Sequence, residues 1–236
     1  EEIGDTDIHR AYDYVFFCFF LGNDFLPHIP CLNIRTNGFD ILYNIYKKTF
    51  SNTDNYLINK DFEIDWNNVK CMFSEIYKIE EKMLVEEYTN RKKFSRYRID
   101  FSCEKGIEDY VQNIPCFFRY SEQYINPCEP YWEARYNKLI LKTKDKNEIM
   151  NIVNDYKNGL QWVFNYYIKG QCNELWYWKY SQGPLVKNIK NMNNKPVEKI
   201  ICNHPEIVLG NYHLDQCENL SWEFKKYLWE GHIVSV

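Results

Sequence analysis

The stretch Tyr14-Val15-Phe16-Phe17-Cys18-Phe19-Phe20-Leu21-Gly22-Asn23-Asp24-Phe25-Leu26-Pro27-His28 decides how this chain is read. Acidic residues precede it from Asp7, and its apolar run stops at Gly22-Asn23. So short an apolar run does not by itself separate a buried strand from a buried helix. The acidic first turn and the Gly-Asn stop favour a helix over Asp7–Leu21. Gly22 or Asn23 can take the left-handed conformation that ends a helix, and Pro27 keeps Leu26 extended. Asp24 is thereby held at the mouth of a hydrophobically anchored helix, near carbonyl groups that carry partial negative charge. A carboxylate placed there suits a hard divalent cation such as Mg²⁺, with water and substrate phosphate completing its shell. The competing reading is that Asn23-Asp24 simply caps a turn, as these residues do widely.

Outward from this stretch the pattern is mainly α. Ile34 to Phe50 places Ile34, Phe39, Leu42, Ile45 and Tyr46 on one face, and Ser51 to Lys60 reads as a polar loop. Ile64 to Lys93 is the longest helical candidate. Its stripe is Val69, Met72, Phe73, Ile76, Ile79, Met83 and Leu84, and Glu80, Glu81, Lys82, Glu86 and Glu87 form its wet face. The basic run Arg91 to Arg98 follows, either a solvated helix end or a contact to RNA backbone. Pro115, Pro127 and Pro130 punctuate a looser stretch, and Pro130 opens a short helix to Leu141. Asn147 to Lys169 is an amphipathic helix with Val153, Tyr156, Leu160, Val163 and Tyr167 at alternating steps of three and four. Beyond Gly170 comes an aromatic cluster ending at Gly183-Pro184. An exposed Asn/Lys linker over Lys187–Lys195, a short helix over Val197–Cys202 and a final strand over Gly231–Val236 complete the reading.

Composition narrows the function classes. With 45% hydrophobic residues the chain of 236 folds around a core. Its net charge of −4 excludes a protein that wraps duplex DNA by electrostatics alone, so any nucleic-acid contact is local. Nine cysteines without a C-x-x-C pair suit reduced thiols and an intracellular, soluble protein. No signal peptide is visible, and the run Val15–Leu21 is far too short to cross a bilayer. The sequon at Asn219 then reads as chance. The chain opens on Glu1-Glu2 without Met, which is read as a fragment whose upstream half is missing.

Several motifs together resemble one family, the Xrn-type 5′→3′ exoribonucleases. The match starts with Gly22 through His28, then Pro30, Leu32, Ile34 and Arg35, then Asp40, Leu42, Asn44, Ile45 and Tyr46. It resumes at Tyr131-Trp132-Glu133-Ala134-Arg135-Tyr136 and at Tyr156-Lys157-Asn158-Gly159-Leu160-Gln161-Trp162-Val163. Tyr166-Tyr167, Gly170, Trp176-Tyr177 and Pro184 continue it, so the likeness covers about residues 7–190. Trp222 to Val236 loosely resembles the family's ending. The chain departs from the family at Lys179-Tyr180-Ser181-Gln182, which lacks the usual His and first Pro, and at Glu174, where a tryptophan is expected. The interval from Tyr46 to Tyr131 is also shorter than usual.

The resemblance implies the helical domain of an Xrn-type nuclease, with the edge of a FEN-like α/β core at the N-terminus. Residues 1–50 would be the end of the nuclease core, 51–190 the helical domain and 191–236 the tail of the conserved region. The implied reaction is processive, Mg²⁺-dependent removal of nucleotides from single-stranded RNA bearing a 5′-monophosphate. Asp24 stands where the family's last acidic ligand stands, as catalytic residue and metal ligand. The centre holds two Mg²⁺ ions, and one carboxylate cannot hold both. The remaining acids and the 5′-phosphate pocket are expected in an upstream nuclease half of the same protein, so this chain alone is expected to be inactive. No membrane and no small-molecule cofactor is implied. The expected compartment is the cytoplasm, with the nucleus as an alternative. The contrasting reading is a non-catalytic RNA-binding or protein-interaction scaffold on the same helical framework.

Substrate-binding candidates beside Asp24 are Asn23, His28, Arg35 and Trp176. Asn23 can orient metal-bound water or only shape the turn. His28 can approach substrate or second-layer water, or bond to backbone. Arg35 can meet phosphate or pair with a buried carboxylate. Trp176 can stack on a base, whereas Trp162, beside the buried stripe, reads as core. Cys202, His204, His213 and Cys217 supply four soft ligands without zinc-finger spacing. No Gly-rich phosphate loop or nucleophile elbow is present.

Overall fold

The computed structural model describes residues 5–94, 98–112, 114, 118–170 and 176–192. Within them the regular elements are helices: α1 Asp5–Cys18, α2 Gly38–Phe50, α3 Trp66–Phe94, α4 Glu104–Gln112, α5 Tyr120–Ile125, α6 Trp132–Leu139, α7 Lys146–Phe164 and α8 Val186–Ile189. A 3₁₀ turn, Phe19–Leu21, extends α1, and a π-helical turn, Asn165–Lys169, extends α7. Strand-like pairing among the described residues is confined to one antiparallel bridge, Ile58 with Ile64. The mainly α expectation holds.

One apolar core joins these elements. Phe16 and Phe17 enter it from α1, Phe20 from the 3₁₀ turn, Leu42 and Phe50 from α2, and Val69, Met72, Phe73 and Ile76 from α3. Val153, Tyr156, Leu160, Val163 and Phe164 enter from α7. Each of the fully buried phenylalanines contributes roughly 1.5–3 kcal/mol relative to exposure. Under the polar 51–60 loop, Leu57 and Ile58 are also buried. They are held there by Asp13, whose carboxylate accepts from the Ile58 amide at 2.8 Å and the Tyr46 hydroxyl at 2.6 Å. Arg10 clasps the same corner, donating to the carbonyls of Phe50 and Thr53 and lying 4.3 Å over the Tyr56 ring.

Four sequence expectations need correction. Ile34 is 64% exposed and precedes α2, so it is not on that helix's buried face. The turn at Asn33 intervenes, because its carbonyl accepts from the Thr36 and Gly38 amides and delays the helix to Gly38. Glu80 is not on a wet face but is buried, on the stripe that continues from Phe73 and Ile76. Its carboxylate caps α8, accepting from the Val186 amide at 2.6 Å and the Lys187 amide at 2.9 Å. The segment from Lys187 is no exposed linker over its first residues: Val186, Ile189 and Met192 lie in the core at three-residue spacing, hidden among Asn and Lys. Tyr167 does not extend the α7 stripe, because the π turn shifts the register and leaves it 48% exposed.

The helix expected from Pro130 starts at Trp132, since Tyr131 adopts a left-handed backbone. Arg135 then ties the α5–α6 connection together, donating to the carbonyls of Ile125 and Pro130. The expected helix over 197–202, the final strand over 231–236 and the four soft ligands from Cys202 to Cys217 lie outside the described residues. Among the described residues no helix is long and apolar enough to cross a membrane.

Candidate functional site

The turn after α1 is built from its own sequence. Gly22 sits at φ +91°, and a Cβ there would meet the His28 amide nitrogen at 3.0 Å, so both conformation and space call for glycine. Asn23 closes an Asx turn, its side-chain oxygen accepting from the Phe25 and Leu26 amides at 2.9 and 3.0 Å. The Asn23 amide donates back to the Leu26 carbonyl, and the Ile29 amide to the Phe20 carbonyl. Leu26 and Ile29 are buried beneath, and the Tyr156 hydroxyl of α7 donates to the Pro27 carbonyl at 2.9 Å. Asp24 stands exposed on top of this rigid loop. Its carboxylate makes no hydrogen bond or ion pair among the described residues, although it is close enough to Tyr167 to help raise that phenol's pKa, behind the larger effect of burial.

Beside Asp24 lies a continuous ledge of rings. Phe25 is 4.8 Å from both Trp162 and Tyr166, in edge contacts. Trp162 stacks on Tyr166 at 5.5 Å with planes only 6° apart, and meets Trp176 at 5.5 Å. Tyr167 stacks on Phe19 at 5.7 Å. Tyr166 and Tyr167 are each more than two-fifths exposed, so the ledge offers ring surface to solvent. Where proteins bind single-stranded nucleic acid, bases stack on rings of this kind at roughly 1–3 kcal/mol per base.

The sequence candidates separate in space and in what holds them. Asn23 shapes the turn with its oxygen, while its side-chain nitrogen is buried without a hydrogen-bond partner. His28 is bonded through Nδ1 to the Ile29 carbonyl at 2.9 Å and borders a cavity of about 230 Å³ shared with Asn33, Glu87, Arg91 and Glu122. Arg35 is exposed, and its side chain has no carboxylate partner among the described residues, so the expected pairing with a buried acid is absent. Trp176 is half-buried at the end of the ledge, its Nε1–H donating to Asp155 at 3.3 Å. Burial raises the Asp155 carboxyl pKa, opposed by this hydrogen bond and by Lys179. Trp162, read as core, is a half-buried member of the ledge. Phe25, Tyr166 and Tyr167, which the sequence offers only as motif or stripe members, are not among its substrate-binding candidates; their rings come together where the turn meets the end of α7 and its π turn.

No group of three or more His, Cys, Asp or Glu that could hold a metal ion occurs among the described residues. Asp24 is a single carboxylate, which by itself does not fit a two-ion centre.

Comparison with known proteins adds the relationships. The family model described as the Xrn1 helical domain matches residues 5–116 and 122–199. A protein named 5′-3′ exoribonuclease 2 from Kluyveromyces lactis is 56% identical over 52 residues, covering 22% of this chain and 5% of that protein. Its namesake in Saccharomyces cerevisiae is 36% identical over 107 residues, covering 42% and 10%. The one in Gallus gallus is 23% identical over 257 residues, covering 80% and 27%. The chain thus spans 27% or less of the length of these relatives.

Proposed function

The chain belongs to the Xrn1 helical domain family, and from that premise we propose that it is part of a Mg²⁺-dependent 5′→3′ exoribonuclease acting on single-stranded RNA with a 5′-monophosphate. The observation that carries this reading is the exposed carboxylate of Asp24 on a hydrogen-bonded turn, without a hydrogen bond or ion pair among the described residues, adjoining a ledge of partly exposed rings. In this reading Asp24 is a metal ligand and catalytic residue. Trp176 and its ring neighbours receive bases, and Arg35, exposed and without a carboxylate partner among the described residues, is available to phosphate. His28 and Asn23 act behind them, His28 with its ring fixed by the Ile29 carbonyl and Asn23 by fixing the loop that carries Asp24.

Residues 1–50 are assigned to the end of the nuclease core, 51–190 to the helical domain and 191–236 to its tail. The further acidic ligands and the 5′-phosphate pocket would come from an upstream nuclease half. Mg²⁺, when bound, would polarise the scissile phosphate and activate the attacking water. Cytoplasm or nucleus suits this substrate. The second reading, a non-catalytic RNA-binding scaffold, draws on the single carboxylate: the described residues hold the platform without a metal cluster.

The test is to incubate this chain with 5′-monophosphorylated RNA and Mg²⁺ and follow both binding and product length. Binding without shortening is the expected result. Robust Mg²⁺-dependent digestion by this chain alone would overturn the assignment of the missing ligands to another segment. Absence of binding would remove the RNA platform.

A further inference from the structure

Helix α7 carries a second stripe beside its buried one. Val153, Tyr156, Leu160 and Val163 face the core. Asp155, Gly159 and Trp162 repeat at i, i+4 and i+7 and so share a neighbouring face. All three meet one side chain, the Trp176 indole. Its Nε1–H donates to Asp155 Oδ1 at 3.3 Å. A Cβ on Gly159 would stand 2.4 Å from Trp176 Cη2 and 2.6 Å from Cζ2, so the benzo edge lies directly on the helix backbone. The Trp162 ring lies 5.5 Å away at 33°. The polar and apolar ends of the indole are therefore seated on a single helix face.

We propose that Asp155 is a positioning residue that holds the Trp176 indole in the plane against which a base of single-stranded RNA stacks. This rests on the reading of Trp176 as an RNA contact. The second side-chain torsion of tryptophan is broad, so an indole without a polar anchor samples several planes. The bond to Asp155 removes that freedom before RNA arrives, and Gly159 provides the closeness that makes the bond reachable. Pre-ordering of this kind raises affinity by lowering the ordering cost of binding.

The test measures the Kd for a 5′-monophosphorylated oligouridine by fluorescence anisotropy. The variants are Asp155→Ala, Asp155→Asn, Trp176→Ala, Trp176→Phe and the double variant Asp155→Ala/Trp176→Phe. Trp176→Ala is expected to weaken binding by about fivefold or more. Asp155→Ala should weaken it by about three- to tenfold. Asp155→Asn should stay near wild type, because its side-chain oxygen still accepts from the indole. In the Trp176→Phe background, which has no indole N–H, Asp155→Ala should add nothing; a merely structural role would add the same loss in both backgrounds. No wild-type binding, or an unchanged Kd for Trp176→Ala, overturns the RNA-contact reading and this inference with it. If Trp176→Ala weakens binding, three outcomes overturn the positioning inference alone. These are an inert Asp155→Ala, additive losses, and an Asp155→Asn that behaves as the Ala variant.

Discussion

Asp24→Ala, placed in a protein that also carries the other acidic ligands, is expected to lower turnover of 5′-monophosphorylated RNA by about 10²- to 10³-fold while changing RNA affinity by no more than about threefold. The separation follows from where the side chain stands. The Asp24 carboxylate is exposed and has no hydrogen bond or ion pair among the described residues, so its removal costs the fold little. The turn that presents it is closed by Asn23 and anchored by Leu26, Ile29 and Tyr156, none of which needs the Asp24 side chain. In the proposed reading, affinity is left to the ring ledge and to phosphate contacts. If Asp24 is the metal ligand proposed, its loss would remove charge stabilisation from the reacting phosphate, raising the barrier by several kcal/mol. Single-turnover degradation of end-labelled RNA, beside equilibrium binding, separates the two quantities. Unchanged turnover removes Asp24 from the catalytic residues.

The second large effect is on stability. Glu80 is buried, and its pKa stands at about 7 in the folded protein against the ordinary 4.5. Burial is the leading cause; the Lys187 and Val186 amides pull it back, Glu133 pushes it up and Lys187 pulls it down. A folded-state pKa raised above the unfolded value means that folding takes up a proton in this window. The associated stability is fully present below about pH 4.5 and is lost as pH rises through about 7. The full span corresponds to about 3 kcal/mol, most of it between pH 5 and 8. Glu80→Gln has no titrating group at this position, so in urea unfolding the wild type should lose nearly that amount of free energy relative to the variant as pH rises from 5 to 8. A difference between the two proteins that is the same at both pH values would contradict it. At the structural level, the α8 segment from Val186 to Met192, seated on α3 by this carboxylate, is the part expected to loosen first.

Much of the fold was legible because it is written in spacing. The stripes of α3 and α7 and the stop at Gly22-Asn23 follow from helical periodicity and glycine conformation. What was not legible depends on a residue's use against its type. Glu80 has the chemistry of a wet face and the spacing of a core position, and a cap for α8 from more than a hundred residues away decides the matter. Tyr167 has the spacing of a core position, and the π turn Asn165–Lys169 in which it lies turns it outward. Val186, Ile189 and Met192 carry a core pattern too short to stand out among Asn and Lys. The site divides the same way. Asp24 and its turn were visible locally, whereas the ledge needed Phe25 from that turn and Trp162, Tyr166 and Trp176 from a region some 140 residues later to meet.

The central claim is that the ledge beside Asp24 is where RNA lies. The most direct measurement is photo-cross-linking of a 5′-monophosphorylated oligonucleotide carrying 4-thiouridine, with the adducts mapped by mass spectrometry. The expected adducts fall on Phe25, Trp162, Tyr166, Tyr167 or Trp176. Adducts confined to other exposed apolar residues, such as Ile107 and Val111 of α4, with none on the ledge, would contradict it.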